Sequence, residues 1–270
     1  MPPVTDHTIT LDGQPVFFRR AGADPVPALY LHGVPTCSDD WLPFLERGGG
    51  LAPDLPGFGR SGKRGDGDFT PAGYARFVER FLAAVEVERV RLCVHDWGAA
   101  GLLWAARQPE RIERLVVMDA VPFLPGYRWH PWARVWRTPL LGELAMGFTS
   151  RRALRLARPR LPREVVDAAA PHFDQGTQRA ILRLYRAAPE NVLAALGRDL
   201  HAIGAPALVV WGERDPYLDP AFARAYADAL PNARWSEVAG AGHWPWLQRP
   251  EVIDAVVDFL AATRGDRPVR

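Results

Sequence analysis

The sequence predicts an α/β fold in which helices cover both faces of a mostly parallel sheet and an α-helical cap is inserted. Through residue 120, short apolar runs typical of buried strands alternate with segments of helical apolar spacing. Residues 122–203 contain no convincing strand, and the alternation returns at residue 207. We therefore predict a core domain from residues 1–121 and 204–270, with residues 122–203 as a helical cap.

The elements of the first part follow from local patterns. Strands are predicted at residues 7–12, 15–20, 28–31, 51–54, 90–94 and 112–118. The first two flank Asp12 and Gly13, which is a hairpin signal. Helices are predicted at residues 38–46, 70–87 and 99–107. Ser38 is the expected cap of the first helix, and Thr70 followed by Pro71 is the expected start of the second.

The cap and the end of the chain are predicted in the same way. Cap helices are expected at residues 140–147, 151–158, 162–172 and 177–188. Strands at 207–211 and 234–238 alternate with helices at 220–230 and 251–263. This alternation completes the core.

Composition excludes several classes of protein. With 48% hydrophobic and 24% charged residues the chain has an ordinary globular composition, and a net charge of +2 does not favour nucleic acid or an anionic membrane as a partner. Cys37 and Cys93 form neither a disulfide framework nor a metal-binding spacing. Without a signal peptide or an apolar span, we expect a cytoplasmic enzyme, monomer or homodimer, acting on a small apolar organic molecule and water.

The clearest chemical signal lies at residues 94–100, where a predicted strand passes through a tight turn into a helix. Gly98 and Ala99 are small enough to let the turn fold sharply, which lifts the residue at its apex out of the sheet edge. This is the geometry of a nucleophile elbow. The usual apex residue is Ser, but here it is Asp96, so the predicted nucleophile is a carboxylate.

Two more candidate catalytic residues follow predicted strands. In open α/β sheets ligands bind beyond the carboxyl ends of the strands. Asp215 follows the strand at 207–211 and His243 follows the last strand, so Asp96, Asp215 and His243 occur in the order nucleophile, acid, base. Asp219 is the better candidate to cap the next helix.

The loop at residues 32–35 is predicted to supply an oxyanion hole. Its donors would be the backbone N–H groups of Val34 and of Trp97, the residue after the nucleophile. His32 and His95 are interpreted as structural residues beside the site. The glycine-rich loop at residues 56–62 has neither a P-loop ending nor dinucleotide spacing, so it does not predict phosphate binding.

Over essentially its whole length the chain resembles the α/β-hydrolase superfamily, and within it the branch with an aspartate nucleophile, the epoxide hydrolases and haloalkane dehalogenases. The resemblance rests on His-Asp-Trp-Gly at 95–98, His-Gly-x-Pro at 32–35, Pro-Asp-Leu-Pro-Gly-Phe-Gly-Arg-Ser at 53–61 and Gly-x-x-Asp at 212–215. Some dehalogenases of this branch carry their acid one strand earlier. This resemblance leaves Asp119 as the alternative to Asp215.

A carboxylate nucleophile limits the chemistry. Attack on an sp³ carbon with a leaving group forms a stable alkyl ester on Asp96, which water activated by His243 then hydrolyses. No metal or cofactor is needed. The expectation is an epoxide hydrolase that makes a vicinal diol, with haloalkane dehalogenation as the alternative. Hydrolysis of another ester or lactone, and binding without catalysis, remain open.

The leaving group separates the two main functions. Tyr185 is similar to the second ring-opening tyrosine of epoxide hydrolases, although it also fits a core tyrosine on an amphipathic helix. Its partner is not evident, because Tyr127 comes earlier than expected and His130 or His172 lack spacing support. For a halide, the indole N–H of Trp97 is the expected donor.

The predicted substrate pocket is aromatic. It consists of Trp97, Trp129, Trp136 and Trp244. Tyr127, Trp129, Trp132 and Trp136 form an aromatic cluster that either packs the cap on the core or lines an apolar pocket.

Overall fold

The computed structural model describes residues 3–149 and 161–262, and in them the chain forms one eight-stranded sheet. The strands are β1 (Val4–Leu11), β2 (Gln14–Ala21), β3 (Ala28–Leu31), β4 (Gly50–Pro53), β5 (Val90–Asp96), β6 (Ile112–Ala120), β7 (Ala207–Gly212) and β8 (Ala233–Val238). Their order is β1-β2-β4-β3-β5-β6-β7-β8, and only the two pairs that include β2 are antiparallel. The predicted mostly parallel sheet is confirmed, with β1 beginning three residues before the predicted hairpin strand.

Helices connect these strands and fill the segment between β6 and β7. In the described residues they are α1 (Leu42–Gly48), α2 (Pro71–Ala84), α3 (Ala100–Arg107), α4 (Pro131–Arg137), α5 (Leu141–Phe148), α6 (Arg163–Ala169), α7 (Gln175–Arg186), α8 (Glu190–Leu196), α9 (Ala221–Ala229), α10 (Pro245–Gln248) and α11 (Glu251–Ala261). Within residues 3–149 and 161–262, none of them is both long and apolar enough to cross a bilayer.

The sheet separates two hydrophobic cores because successive side chains of a strand point to opposite faces. On β5, Leu92 and Val94 belong to the core that includes Phe81 of α2, whereas Cys93 belongs to the core that includes Phe44 of α1. All of these side chains are buried. Helices therefore cover both faces, and the carboxyl ends of the central strands remain available for a site.

In the described residues, the segment between β6 and β7 contains helices joined by loops and no strand. The predicted cap helices at 140–147, 162–172 and 177–188 are found within two residues of their expected starts, and the one predicted at 151–158 lies outside the described residues. Sequence reasoning missed α4 and α8, each of seven residues, because such short helices give too few turns for a periodic signal. The division into core and cap stays a prediction.

One of the two predicted helix caps is found. The Gly73 N–H donates to Thr70 Oγ1 at 3.0 Å, with Pro71 in the first turn. The Ser38 prediction is wrong, because its buried side-chain oxygen has no partner among residues 3–149 and 161–262, while its own N–H donates to Asp54 at 2.7 Å. A 3₁₀ turn occupies Ser38–Trp41, and the α-helix begins only at Leu42.

Replacing Tyr226 with Phe is expected to destabilise the fold. The buried Tyr226 hydroxyl accepts from the Phe123 N–H at 3.0 Å and donates to the Val121 carbonyl at 2.7 Å, fixing the chain where it leaves β6. Leaving these backbone groups unpaired costs about 1–3 kcal/mol. Urea unfolding should show a lower midpoint, with a smaller loss for Tyr74→Phe, whose part-buried hydroxyl donates only to Pro56. An unchanged midpoint for Tyr226→Phe would contradict this role.

Candidate active site

Asp96 stands at the carboxyl end of β5 in a strained turn. Its backbone has φ 48° and ψ −119°, a conformation that costs energy for a residue with a side chain. Close packing maintains this conformation. A Cβ on Gly98 would lie 2.1 Å from the Leu31 carbonyl oxygen, and one on Gly33 would lie 2.3 Å from the Asp96 Cβ. Both glycines are therefore required where the turn packs against the neighbouring chain.

The structure brings Asp96, His243 and Asp215 into one row. His243 Nδ1 lies 2.7 Å from Asp215 Oδ2, and His243 Nε2 lies 3.5 Å from Asp96 Oδ2. All three side chains are buried. The imidazole thus stands between two carboxylates, with its outer nitrogen facing the residue predicted to be the nucleophile.

This arrangement couples the charges of the three groups. Burial alone would lower the pKa of His243, but the Asp215 and Asp96 carboxylates outweigh it and raise that pKa well above its ordinary value. Burial alone would raise the pKa of Asp96, but its hydrogen bond and charge interaction with His243 lower that pKa. The resting site therefore holds an ionised Asp96 beside a protonated imidazole.

The loop after β3 contacts the same carboxylate. The Val34 N–H donates to Asp96 Oδ1 at 2.7 Å, so the two Asp96 oxygens face different partners. Trp97, whose N–H is the second predicted donor, begins the 3₁₀ turn directly after Asp96. The oxyanion-hole assignment stays a prediction, and the Val34 geometry is compatible with it.

Both candidate acids reach the site, but only Asp215 hydrogen-bonds the imidazole directly. Its other oxygen accepts from the backbone N–H groups of Tyr217 and Leu218, at 2.8 and 3.0 Å, which fixes the carboxylate. Asp119 instead accepts from the Gly212 N–H at 2.9 Å. Asp219 accepts from the Ala221 N–H at 2.9 Å just before α9, although the N-cap position of that helix is Pro220.

Two buried histidines, His32 and His95, hydrogen-bond the backbone of the loops around Asp96, His243 and Asp215. Because His32 Nε2 accepts from the Leu55 N–H at 2.8 Å, its proton sits on Nδ1 and is donated to the Gly33 carbonyl. His95 Nε2 lies 2.8 Å from the His243 carbonyl oxygen. Burial lowers the pKa of His95 to about 3 and also lowers the pKa of His32. Both are neutral structural groups, in agreement with the sequence-based interpretation.

A cavity of about 270 Å³ opens above Asp96 and His243. Its lining is mostly apolar and consists of Val34, Pro35, Asp96, Trp129, His130, Trp132, Trp136, Ala145, Met146, Thr149, Leu161, Phe173, Ile181, Tyr185, Tyr217, Leu218, His243 and Trp244. Such a pocket, with a few polar groups at one end, suits a small apolar molecule.

The four predicted pocket tryptophans occupy different places. Trp129, Trp136 and Trp244 line the cavity, whereas Trp97 is fully buried and is not part of the lining. The Trp97 ring stacks on Trp129 with centroids 5.4 Å apart and meets Tyr185 edge-on at 5.1 Å. Two cavity residues therefore cover Trp97.

Sequence reasoning missed Tyr217. It lies two residues beyond Asp215, lines the cavity, and packs edge-on against His243 with ring centroids 5.2 Å apart. Burial, followed by the Asp215 charge, raises the pKa of its hydroxyl. Burial likewise raises the pKa of Tyr185 well above its ordinary value. Both tyrosines thus stay protonated and can donate hydrogen bonds.

His130 also lines the cavity, whereas Tyr127 and His172 do not. His130 Nδ1 accepts from the Ala133 N–H at 3.3 Å and so caps α4. Its proton is therefore on Nε2 in the neutral ring. Burial lowers the pKa of His130, which favours this neutral form.

Two groups of side chains in the described residues have donor atoms close enough to share a cation. They are Cys37, Asp39 and His172, and Asp119, Asp215 and His243. The Asp39 carboxylate is already paired with the Arg19 and Arg60 guanidinium groups. The second group includes the short Asp215–His243 hydrogen bond. Their present partners suit ion pairs better than metal coordination.

Comparison with known proteins gives consistent matches. Residues 27–250 match the family model described as alpha/beta hydrolase fold. A haloalkane dehalogenase of Mycobacterium marinum is 35% identical over 225 residues, 75% of this chain and 73% of that protein. One from Mesorhizobium japonicum is 29% identical over 269 residues, covering 90% and 84%. A crystal structure of a haloalkane dehalogenase from Bradyrhizobium elkani, 23% identical, superposes with a TM-score of 0.80 over 96% of this chain and 98% of that one, which shows the shared fold.

Replacing Asp96 with Asn is expected to lower the pKa of His243, because it removes one of the two carboxylate charges that raise it. NMR titration of the His243 ring would measure the change. Asp228→Asn is the control, since Asp228 is exposed on α9 and pairs there with Arg224. A His243 pKa that responds equally to both substitutions would contradict the charge coupling.

Proposed function

The chain is a hydrolase that belongs to the α/β-hydrolase superfamily, in its dehalogenase and epoxide hydrolase branch, and on this basis we propose that it is a haloalkane dehalogenase. The sequence alone favoured an epoxide hydrolase. The relatives named haloalkane dehalogenase support the alternative better. The site supports it through a carboxylate nucleophile at the end of an apolar cavity.

The first step is attack by Asp96 on the carbon that bears the halogen. Oδ1 is held by the Val34 N–H, so we assign the attack to Oδ2, the oxygen that faces His243. A C–O bond forms, the carbon–halogen bond breaks, and the halide leaves with the electron pair. The product is an alkyl ester on Asp96. The lowered pKa of Asp96, which its interactions with His243 cause against the effect of burial, keeps this nucleophile ionised.

The second step is hydrolysis of that ester. His243 takes a proton from water, and the resulting hydroxide attacks the Asp96 carboxyl carbon. The charge that develops on Oδ1 falls on the atom that the Val34 N–H already contacts. Collapse breaks the bond between the carboxyl carbon and the ester oxygen. The alcohol leaves, carrying the proton from His243, and the Asp96 carboxylic acid that remains gives its proton to His243. The resting charges are thus restored, and the cycle releases one proton to solvent, the one that His243 loses after alkylation.

Alkylation itself prepares His243 for this step. The ester carries no charge, so one of the two carboxylates that raise the pKa of His243 is gone. The imidazole then loses its proton more readily and can act as a base. Asp215 remains to orient the ring and to stabilise its charged form.

The observation that carries the proposal is a pair of unpaired indole N–H groups beside the reacting residues. In the described residues the buried Nε1 atoms of Trp97 and Trp244 have no hydrogen-bond partner. Trp244 directly follows the base and lines the cavity, whereas Trp97 directly follows the nucleophile and lies behind the cavity residues Trp129 and Tyr185. A buried donor without an acceptor is costly, and a halide would supply the acceptor.

His243→Gln is expected to trap the covalent intermediate, because it allows alkylation but removes the base. After incubation with 1-bromobutane, mass spectrometry should find one butyl group on the peptide that contains Asp96. Wild-type protein should release bromide continuously, and Asp96→Ala should show neither bromide release nor the adduct. Bromide release by the wild type, with no adduct in His243→Gln, would contradict the covalent mechanism.

Trp97→Phe is expected to slow bromide release about tenfold or more, since a hydrogen bond to a charged acceptor is worth about 1.5–3 kcal/mol. Trp104→Phe is the matched control. Its indole N–H is also buried and unpaired, but it lies on α3, where Arg111 covers the ring at 5.1 Å. Equal effects of the two substitutions on bromide release would contradict the assignment of Trp97 as a halide donor.

Epoxide hydrolysis is the second candidate function, favoured by the Tyr185 and Tyr217 side chains that share the cavity with Asp96. Two protonated hydroxyls could donate to the alkoxide that leaves when an epoxide opens. With styrene oxide as substrate, Tyr185→Phe should abolish diol formation while leaving bromide release from 1-bromobutane largely unchanged. No diol from the wild type would leave dehalogenation as the supported function.

A further inference from the structure

A bulge at the end of β6 gives Asp119 an unusual position. His95 pairs with Met118 and Asp96 pairs with Ala120, so Asp119 is the extra residue with no partner on β5. Its φ of 37° is also strained for a residue with a side chain. Bulges next to active sites commonly redirect a side chain. Here the bulge lies beside the turn that carries Asp96.

The Asp119 side chain is fully buried and only half satisfied. Oδ1 accepts from the Gly212 N–H at 2.9 Å, but Oδ2 has no hydrogen-bond partner in the described residues. One ligand atom each of Asp119, Asp215 and His243 lies within 4.8 Å of the others. Asp119 therefore faces the acid and base of the proposed mechanism while remaining outside the described catalytic steps.

Two carboxylates this close in a buried site do not both ionise. Burial first, and the Asp215 charge second, raise the pKa of Asp119 well above its ordinary value. Asp119 is therefore the carboxyl that holds a proton, because both oxygens of Asp215 already face hydrogen-bond donors, whereas Oδ2 of Asp119 faces none in the described residues. A proton on Asp119 Oδ2 also gives that oxygen a hydrogen-bond partner, because the O–H can donate to the Asp215 carboxylate.

We propose that Asp119 is a positioning residue that donates its proton to Asp215 and replaces it as the charge partner of His243 when Asp215 is neutralised. The inference rests on the proposed role of His243 as the base. In the intact site this hydrogen bond from Asp119 adds to those that Asp215 makes with His243 and with the backbone N–H groups of Tyr217 and Leu218. Without Asp215, Asp119 loses its proton to solvent and its carboxylate stabilises the imidazolium.

The test compares four proteins: wild type, Asp119→Asn, Asp215→Asn and the double variant. NMR titration of the His243 ring is measured without substrate, so a chain that lacks dehalogenase activity still gives a result. We expect Asp119→Asn to change the His243 pKa little, because Asn mimics a protonated Asp. Asp215→Asn should lower the pKa, and the double variant should lower it clearly further. Melting temperatures of all four verify folding.

Turnover gives the second readout. With 1-bromobutane, Asp215→Asn should keep at least about tenfold more hydrolysis of the alkyl-enzyme than the double variant, the ratio expected for a charge partner worth about 1.4 kcal/mol. Equal His243 pKa values in Asp215→Asn and the double variant would overturn the inference. It would also fail if Asp119→Asn alone lowered the pKa as much as Asp215→Asn.

A third measurement requires only the single variant, in case the double variant does not fold. A protonated buried carboxyl gives its own carbonyl band in the infrared spectrum. The difference spectrum between wild type and Asp119→Asn at neutral pH should contain that band on the wild-type side. A carboxylate band there instead would show that Asp119 is ionised, which overturns the inference.

Discussion

The placement of one imidazole between two buried carboxylates is the constraint on which the rest of the site depends. Burial opposes the ionisation of Asp96, and the adjacent His243 offsets that penalty while it also hydrogen-bonds Asp215. The same contact prevents the resting imidazole from acting as a base. In the proposed reaction, alkylation removes the Asp96 charge and so releases His243 to act as the base in the second step. The charge of Asp96 therefore sets the order of the two proposed steps, because His243 can act as a base only after that charge is lost.

The fold supports this row by bringing distant parts of the chain to one edge of the sheet. Asp96 ends β5, Asp119 lies near the end of β6 and Asp215 follows β7, and these three strands are neighbours in a parallel arrangement. His243 follows β8, and the loop after β3 supplies the Val34 N–H. Two cores, one on each face, hold these strand ends rigidly. Strain at Asp96 persists because the surrounding packing leaves the turn no alternative.

The sequence predicted the sheet well because its strands are apolar runs bounded by turn residues, and it predicted which residues meet because strand ends converge. It could not predict side-chain direction. Trp97 was expected in the pocket but is covered by Trp129 and Tyr185, since its place depends on packing against the cap. Tyr217 was missed because nothing local indicates that this loop turns toward the cavity. The bulge at Asp119 depends on strand register, which residue type alone does not reveal.

His130 joins two properties that are usually separate. Its Nδ1 accepts the Ala133 N–H and so caps the first turn of α4, and its ring forms part of the cavity wall. A guest molecule that offered a proton to that nitrogen would compete with the Ala133 N–H for it. The first turn of the helix and the inner surface of the pocket therefore share one hydrogen bond. For such a guest, occupancy of the cavity and the order of the first turn of α4 would be thermodynamically linked.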